Sequence, residues 1–183
     1  MVSVEEAREL ARTKLSANLY KHCLAVEAVM RALARRFNQD EERWGLAGLL
    51  HDIDYEETKN DPCRHSLRSG EIVRTLGFDE EMVQAVEAHN ERHGLPRETL
   101  MAKALYCSDP LTGLIVAAAL IHPSKKLDPI TPEFVLNRYH EKSFARGANR
   151  AVIAACDQLG LELLDFIAIG LEAMKCVSDA LGL

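Results

Sequence analysis

Apolar residues recur at three- and four-residue steps over most of this 183-residue chain, the spacing of helices that each turn one face to a core. Val26, Val29, Met30 and Leu33 form one such stripe, Leu46, Leu49 and Leu50 a second, and Ile72, Val73 and Leu76 a third. The polar residues between them supply start and stop signals. Ser3-Val4-Glu5-Glu6 is a capping box, and Asp40 followed by Glu41 and Glu42 places acids where a helix N-terminus favours them. Asp61-Pro62 predicts an N-cap and a first-turn proline, opening a helix through Leu76 that Gly77 closes. Asp79 caps the next helix, with Phe78 placed to staple onto Val83.

Further along, a helix is predicted from near Arg97 through Leu105, kinked or broken at Pro110, and a second apolar run covers Leu114 to Ile121. Thr131-Pro132 opens another helix, and two more are predicted over 147–159 and 162–181. No alternating β-branched run with hairpin turn chemistry occurs. The expectation is an all-α protein of roughly eight to ten helices, one domain over 1–183 with no linker.

Composition narrows the function classes. Hydrophobic residues are 48% and charged residues 27%, enough apolar material for a packed core. Lysine and arginine total 22 against 28 acids, a net charge of −6, which argues against a sequence-independent grip on a nucleic acid polymer. A phosphate substrate then needs a local positive centre, and a bound metal supplies one. The five cysteines are scattered without a CxxC pair and read as reduced thiols. The N-terminal residues lack a signal-peptide pattern, and Leu114 to Ile121 falls short of the ~20 residues that cross a bilayer. A cytoplasmic protein without membrane attachment is therefore expected.

The histidines carry the chemistry. Of seven, four fall on core-facing stripes: His22 one turn before Val26, His51 at the end of an apolar helix, His65 ahead of Ser69 and Ile72, and His89 after Ala85 and Val86. Asp52 follows His51 directly, and Asp109 follows Met101 and Leu105 at helical spacing. One buried imidazole is ordinary. Burying four with two carboxylates costs several kcal/mol per ionised group unless a partner is present, and a metal is the partner that neutral imidazole and carboxylate prefer.

The adjacent His51-Asp52 after an apolar helix, with His22 upstream and Asp109 downstream, resembles the HD-domain metal-dependent phosphohydrolase superfamily. His65-Ser66-Leu67-Arg68-Ser69-Gly70-Glu71 and Ala88-His89-Asn90-Glu91-Arg92 resemble its subset with two extra histidines. The resemblance covers about 18–125 and leaves 126–183 as a C-terminal helical extension of unassigned role. It implies a helical fold around a metal site, with His22, His51, Asp52 and Asp109 holding a first ion. Asp52 would bridge to a second ion held by His65 and His89. Asn90 stands where the superfamily's cyclic-dinucleotide phosphodiesterases have a further histidine, and Arg92-His93-Gly94-Leu95-Pro96 replaces their Gly-Tyr-Pro segment, so that substrate is not expected.

The expected reaction is hydrolysis of a small phosphate ester, nucleotides included, by a metal-bound hydroxide that Asp52 positions. A thiolate-free set of histidines and carboxylates suits iron or manganese better than zinc, with magnesium, nickel and cobalt also open. Lys125, Lys126, Arg146, Asn149 and Arg150 are the candidate substrate-binding residues; a solvated basic surface is the competing reading. His93 is expected to support the site, and His122 and His140 to be peripheral. Two other functions compete: a di-iron oxygenase of the same superfamily, and a signalling module that has lost its chemistry.

Overall fold

The computed structural model describes residues 2–183 and contains no strand among them. The chain runs through α1 (Val4–Lys14), α2 (Ala17–Arg36), α3 (Glu41–Leu50), α4 (Tyr55–Thr58), α5 (Leu67–Thr75) and α6 (Glu80–Ala88). It continues through α7 (Leu100–Ile121), α8 (Pro132–His140), α9 (Arg150–Ala154), α10 (Leu163–Lys175) and α11 (Ser178–Leu181). Short 3-10 turns occupy Glu91–His93 and Ala155–Leu159.

The start signals act as read. Ser3 and Glu6 close a reciprocal capping box, the Asp40 and Asp79 carboxylates each cap the third residue of their helix, and Thr131 caps α8 ahead of Pro132. Phe78 and Val83 are both buried at the start of α6, and Gly77 ends α5 in the left-handed conformation.

Several expectations are corrected. The helix expected over 162–181 divides into α10 and α11, and the one expected over 147–159 is the short α9 followed by a 3-10 turn. The Asp61-Pro62 signal does not open a helix: residues 62–66 form turns, and α5 begins at Leu67 behind Ser66, whose φ is +72°. The Asp54 carboxylate takes the Ser66 amide at 2.9 Å and holds this break open. Pro110 does not end its helix either, since α7 begins at Leu100, capped by Thr99, and runs unbroken to Ile121. Buried residues lie on both sides of the proline, including Met101, Leu105, Leu111, Leu114 and Ile115. Their packing offsets the roughly 3 kcal/mol that an interior proline costs. By length and composition this 22-residue helix could cross a membrane, unlike the shorter run read from the sequence. In the fold it lies against α2, α6, α8 and α9.

Helix α2 packs along α3 more extensively than any other pair, and Gly48 sets their separation. A Cβ there would stand 2.9 Å from the amide of Glu27 and from the carbonyl of Val26, backbone atoms that cannot swing away. Gly48→Ala is expected to cost about 1–3 kcal/mol and lower the melting temperature by several degrees. A thermal melt checks this; an unchanged midpoint would mean that the helices do not approach this closely. The residues after 126 complete the core: Phe166, Ile167, Leu171 and Met174 of α10 are buried, and α10 packs on α2, α7 and α8.

Candidate metal centre

Helices α2, α3, α6 and α7 deliver His22, His51, His89 and Asp109 to one point, and the turn after α3 delivers Asp52. His65 arrives from the turn ahead of α5 rather than from within a helix, the displacement that Ser66 imposes. His51, Asp52 and His89 are buried, while His22, His65 and Asp109 are partly open to solvent.

The Asp52 carboxylate stands between two donor sets. On the Oδ2 side lie His51 Nε2 at 3.5 Å and His22 Nε2 at 3.9 Å. His22 Nε2 is itself 3.1 Å from Asp109 Oδ1 and 3.3 Å from His51 Nε2. On the Oδ1 side lie His89 Nε2 at 3.3 Å and His65 Nε2 at 3.4 Å. Donor atoms at right angles around an ion with bonds of about 2.1 Å sit about 3.0 Å apart. The observed spacings are those of a ligand cage.

Each imidazole is turned so that Nε2 faces inward. His51 Nδ1 donates to the Gly48 carbonyl (2.8 Å) and His89 Nδ1 to the Val86 carbonyl (2.6 Å). His65 Nδ1 donates to Asp54 Oδ1 (3.1 Å). His22 Nδ1 meets Thr112 Oγ1 at 3.2 Å, and the Thr112 hydroxyl proton is directed to the Asp109 carbonyl (2.9 Å), so the threonine accepts. With all four Nδ1 positions engaged outward, four Nε2 atoms converge, each able to coordinate once it carries no proton. Such outer contacts are what fix the tautomer of a metal-binding histidine. The buried Asp52 Oδ1 has no hydrogen-bond partner, a costly state for a carboxylate oxygen unless a cation meets it. This donor set fits a divalent metal.

Burial and mutual contact move the charges of the centre in opposite directions. Burial disfavours ionised Asp52, but the surrounding histidines outweigh it and hold the carboxyl below its usual range. Asp109 is likewise lowered, against burial, by its hydrogen bond to His22. His51, fully buried, is pushed down towards the neutral form a metal requires. His89 is pushed up to about 9: burial lowers it, and the contact with Asp52 overrides that. A histidine raised on folding contributes stability that is complete below about 6.5 and lost as pH rises through about 9. Chelated protein is therefore expected to lose this contribution over that window. Metal uptake at pH 7 should release a proton from His89. Calorimetry in buffers of different ionisation enthalpy measures the release; buffer-independent heats would contradict it.

Three residues near the centre escape the sequence-level reading. Asp54 is fully buried, accepting from His65, the Ser66 amide (2.9 Å) and the Ser69 hydroxyl (2.9 Å). Its signal was present as a second aspartate in the run His51-Asp52-Ile53-Asp54. Thr112 and Gly48, which orient His22 and His51, carry no such signal. Asn90 and His93 both donate to the His65 carbonyl, at 3.2 and 2.7 Å, a supporting contact. Glu56 and Glu57 turn away to Lys59 and to Lys14 and Arg68.

A pocket of about 200 Å³ opens beside the centre, lined by His65, His89, Asp109, Tyr106, Glu91 and Asn149 among others. Of the candidate substrate residues, Asn149 reaches this pocket, and Arg146 lies in an adjoining one. Lys125 and Lys126 line neither. Arg150 lines the adjoining pocket as well, and its guanidinium donates to the carbonyls of Tyr139, Phe144, Ala145 and Ala148 at 2.6–3.0 Å, which holds the loop together. Cys23 and Cys107 are buried thiols pushed up by burial, inert packing groups. His122 and His140 lie outside the centre on the surface.

This architecture is that of a helical bundle holding a histidine–aspartate centre. The chain belongs to the HD domain family, whose model matches residues 19–120. Over 109 residues it is 32% identical to ribonuclease Y of Lawsonia intracellularis, covering 60% of this chain and 21% of that protein. Over 102 residues it is 28% identical to ribonuclease Y of Oleidesulfovibrio alaskensis, covering 56% and 19%. Over 90 residues it is 36% identical to an uncharacterized protein of Methanocaldococcus jannaschii, covering 46% and 52%. The matched segment thus spans about a fifth of the ribonuclease Y chains and about half of the archaeal one. No solved structure matches this chain.

Proposed function

We propose that this protein is a metal-dependent phosphohydrolase acting on a small phosphate ester of nucleotide size. The observation that carries the reading is the Asp52 carboxylate, which faces one set of donors through each oxygen beside a solvent-open pocket. His22, His51, Asp52 and Asp109 would hold one divalent ion, and Asp52, His65 and His89 would hold a second. Ions so placed lower the pKa of a coordinated water and neutralise phosphoryl oxygens where transition-state charge gathers. The chain's part is to fix the ligands: backbone carbonyls, Asp54 and Thr112 lock the four rings, and the packed helices keep bulk water behind them out. The likeness to ribonuclease Y supports phosphoester chemistry.

The test is a phosphoester panel, with and without an RNA oligonucleotide, on protein loaded with manganese or iron. Turnover of small phosphate esters without oxygen is the expected result. Substrate-dependent oxygen uptake would favour the oxygenase, cleavage of RNA alone would move the substrate to a polymer, and inertness of the loaded protein would favour a signalling module.

A further inference from the structure

The loop between α8 and α9 forms the far wall of the pocket, and its charge has no use in the chemistry described above. Glu91, Gly147 and Asn149 line both the metal-side pocket and a larger one of about 560 Å³. The two therefore adjoin across these three residues, and together they form a groove. Its far end presents Lys142 and Arg146, both exposed, and among the described residues neither is paired with a carboxylate. The metal-side pocket alone, at about 200 Å³, is below the roughly 300–1,000 Å³ typical of small-molecule sites; with its extension the groove falls in that range.

The loop is rigidly built. Arg150 gathers its carbonyls from the inside, and Ala145, beside Arg146, is held at φ +42°, a strained conformation for a residue with a Cβ. Asn149 spends its side-chain oxygen on the amides of Ala151 and Val152, which leaves its NH₂ free to donate into the groove. Along the groove the groups then alternate: a cationic centre at Asp52, the Glu91 carboxylate, which accepts from Tyr106 at 3.2 Å, and the cations Lys142 and Arg146. A carboxylate in the middle disfavours one continuous polyanion and favours hydroxyl groups, which donate to it. The pattern complements an anion, a hydroxyl-bearing unit and a second anion.

We propose that Lys142 and Arg146 bind a second phosphate, so that the groove takes a sugar or nucleotide phosphorylated at two separated positions. This specificity rests on the phosphohydrolase reading for its catalytic half, and its binding half is measurable alone.

The probes are adenosine 3′,5′-bisphosphate and AMP, used with manganese-loaded wild type and the Lys142→Gln/Arg146→Gln variant. Wild type should prefer the bisphosphate by about tenfold or more in kcat/KM. The variant should lose that preference through a raised KM for the bisphosphate, with its manganese content at the wild-type level. Equal use of the two by wild type, or a preference that survives in the variant, overturns the proposal. Should neither probe be hydrolysed, the phosphohydrolase reading fails and binding decides: a Kd for the bisphosphate that rises about tenfold in the variant upholds the groove, and an unchanged Kd overturns it.

Discussion

Asp52→Ala protein is expected to lose bound metal and phosphoester turnover together, turnover by at least about a hundredfold. Losses of about 10–100-fold follow from removing contacts one layer out; Asp52 stands inside that layer, in reach of His51, His65 and His89 at once. Its removal also strips the charge that holds His89 up to about 9, so that histidine should titrate lower in the variant. His140→Ala, an exposed change on α8, is the matched control and should leave metal content and turnover intact. Metal analysis and steady-state rates on the same preparations check both. Full activity in the Asp52 variant would remove the bridging role.

Asp54→Ala is expected to do comparable harm by another route. Asp54 makes no contact with the Oδ1 or Oδ2 donor sets except through His65, yet its carboxylate satisfies three buried or half-buried donors. Alanine leaves the Ser66 amide and the Ser69 hydroxyl without this acceptor and frees the His65 ring to rotate. Losses of about 3–5 kcal/mol in stability and about 10–100-fold in affinity for the ion that His65 would hold follow. Urea denaturation of chelated protein separates the first from the second, which a metal titration reads. Asp54→Asn, which retains one acceptor oxygen, should recover part of the stability. A variant that melts and binds metal like wild type would show that His65 is oriented by its packing alone.

The helices around the centre were legible because their signals are local. A capping serine or aspartate and a three-four apolar step act within a turn or two, and α1, α3, α6 and α8 begin where those signals stand. Two of the misread segments are places where distant contacts outweigh local preference. At Asp61-Pro62 the helix signal loses to the Asp54 carboxylate, which anchors Ser66 in a left-handed turn. At Pro110 a missing amide loses to buried side chains on both flanks.

The site divides in the same way. His22, His51, Asp52, His65, His89 and Asp109 stand out because titratable groups on apolar faces need an explanation, and all six meet. The residues that aim them do not stand out. Thr112 looks like any helical threonine, and Gly48 acts through the absence of a side chain against α2. Arg150 shows the converse: an arginine in a basic run suggests a ligand contact, and although it lines the outer pocket its guanidinium is also engaged by the carbonyls of its own loop. Side-chain direction, which sequence does not carry, decides between those uses.

The claim on which the rest depends is that four inward-facing imidazoles and two carboxylates enclose divalent cations. X-ray absorption spectroscopy and metal analysis of protein purified without chelator test it directly. About two ions per chain are predicted, in shells of nitrogen and oxygen at about 2.0–2.2 Å with imidazole scattering and no sulfur. Protein that stays below a tenth of an equivalent after exposure to iron, manganese and zinc in turn, or a shell containing sulfur, would contradict it.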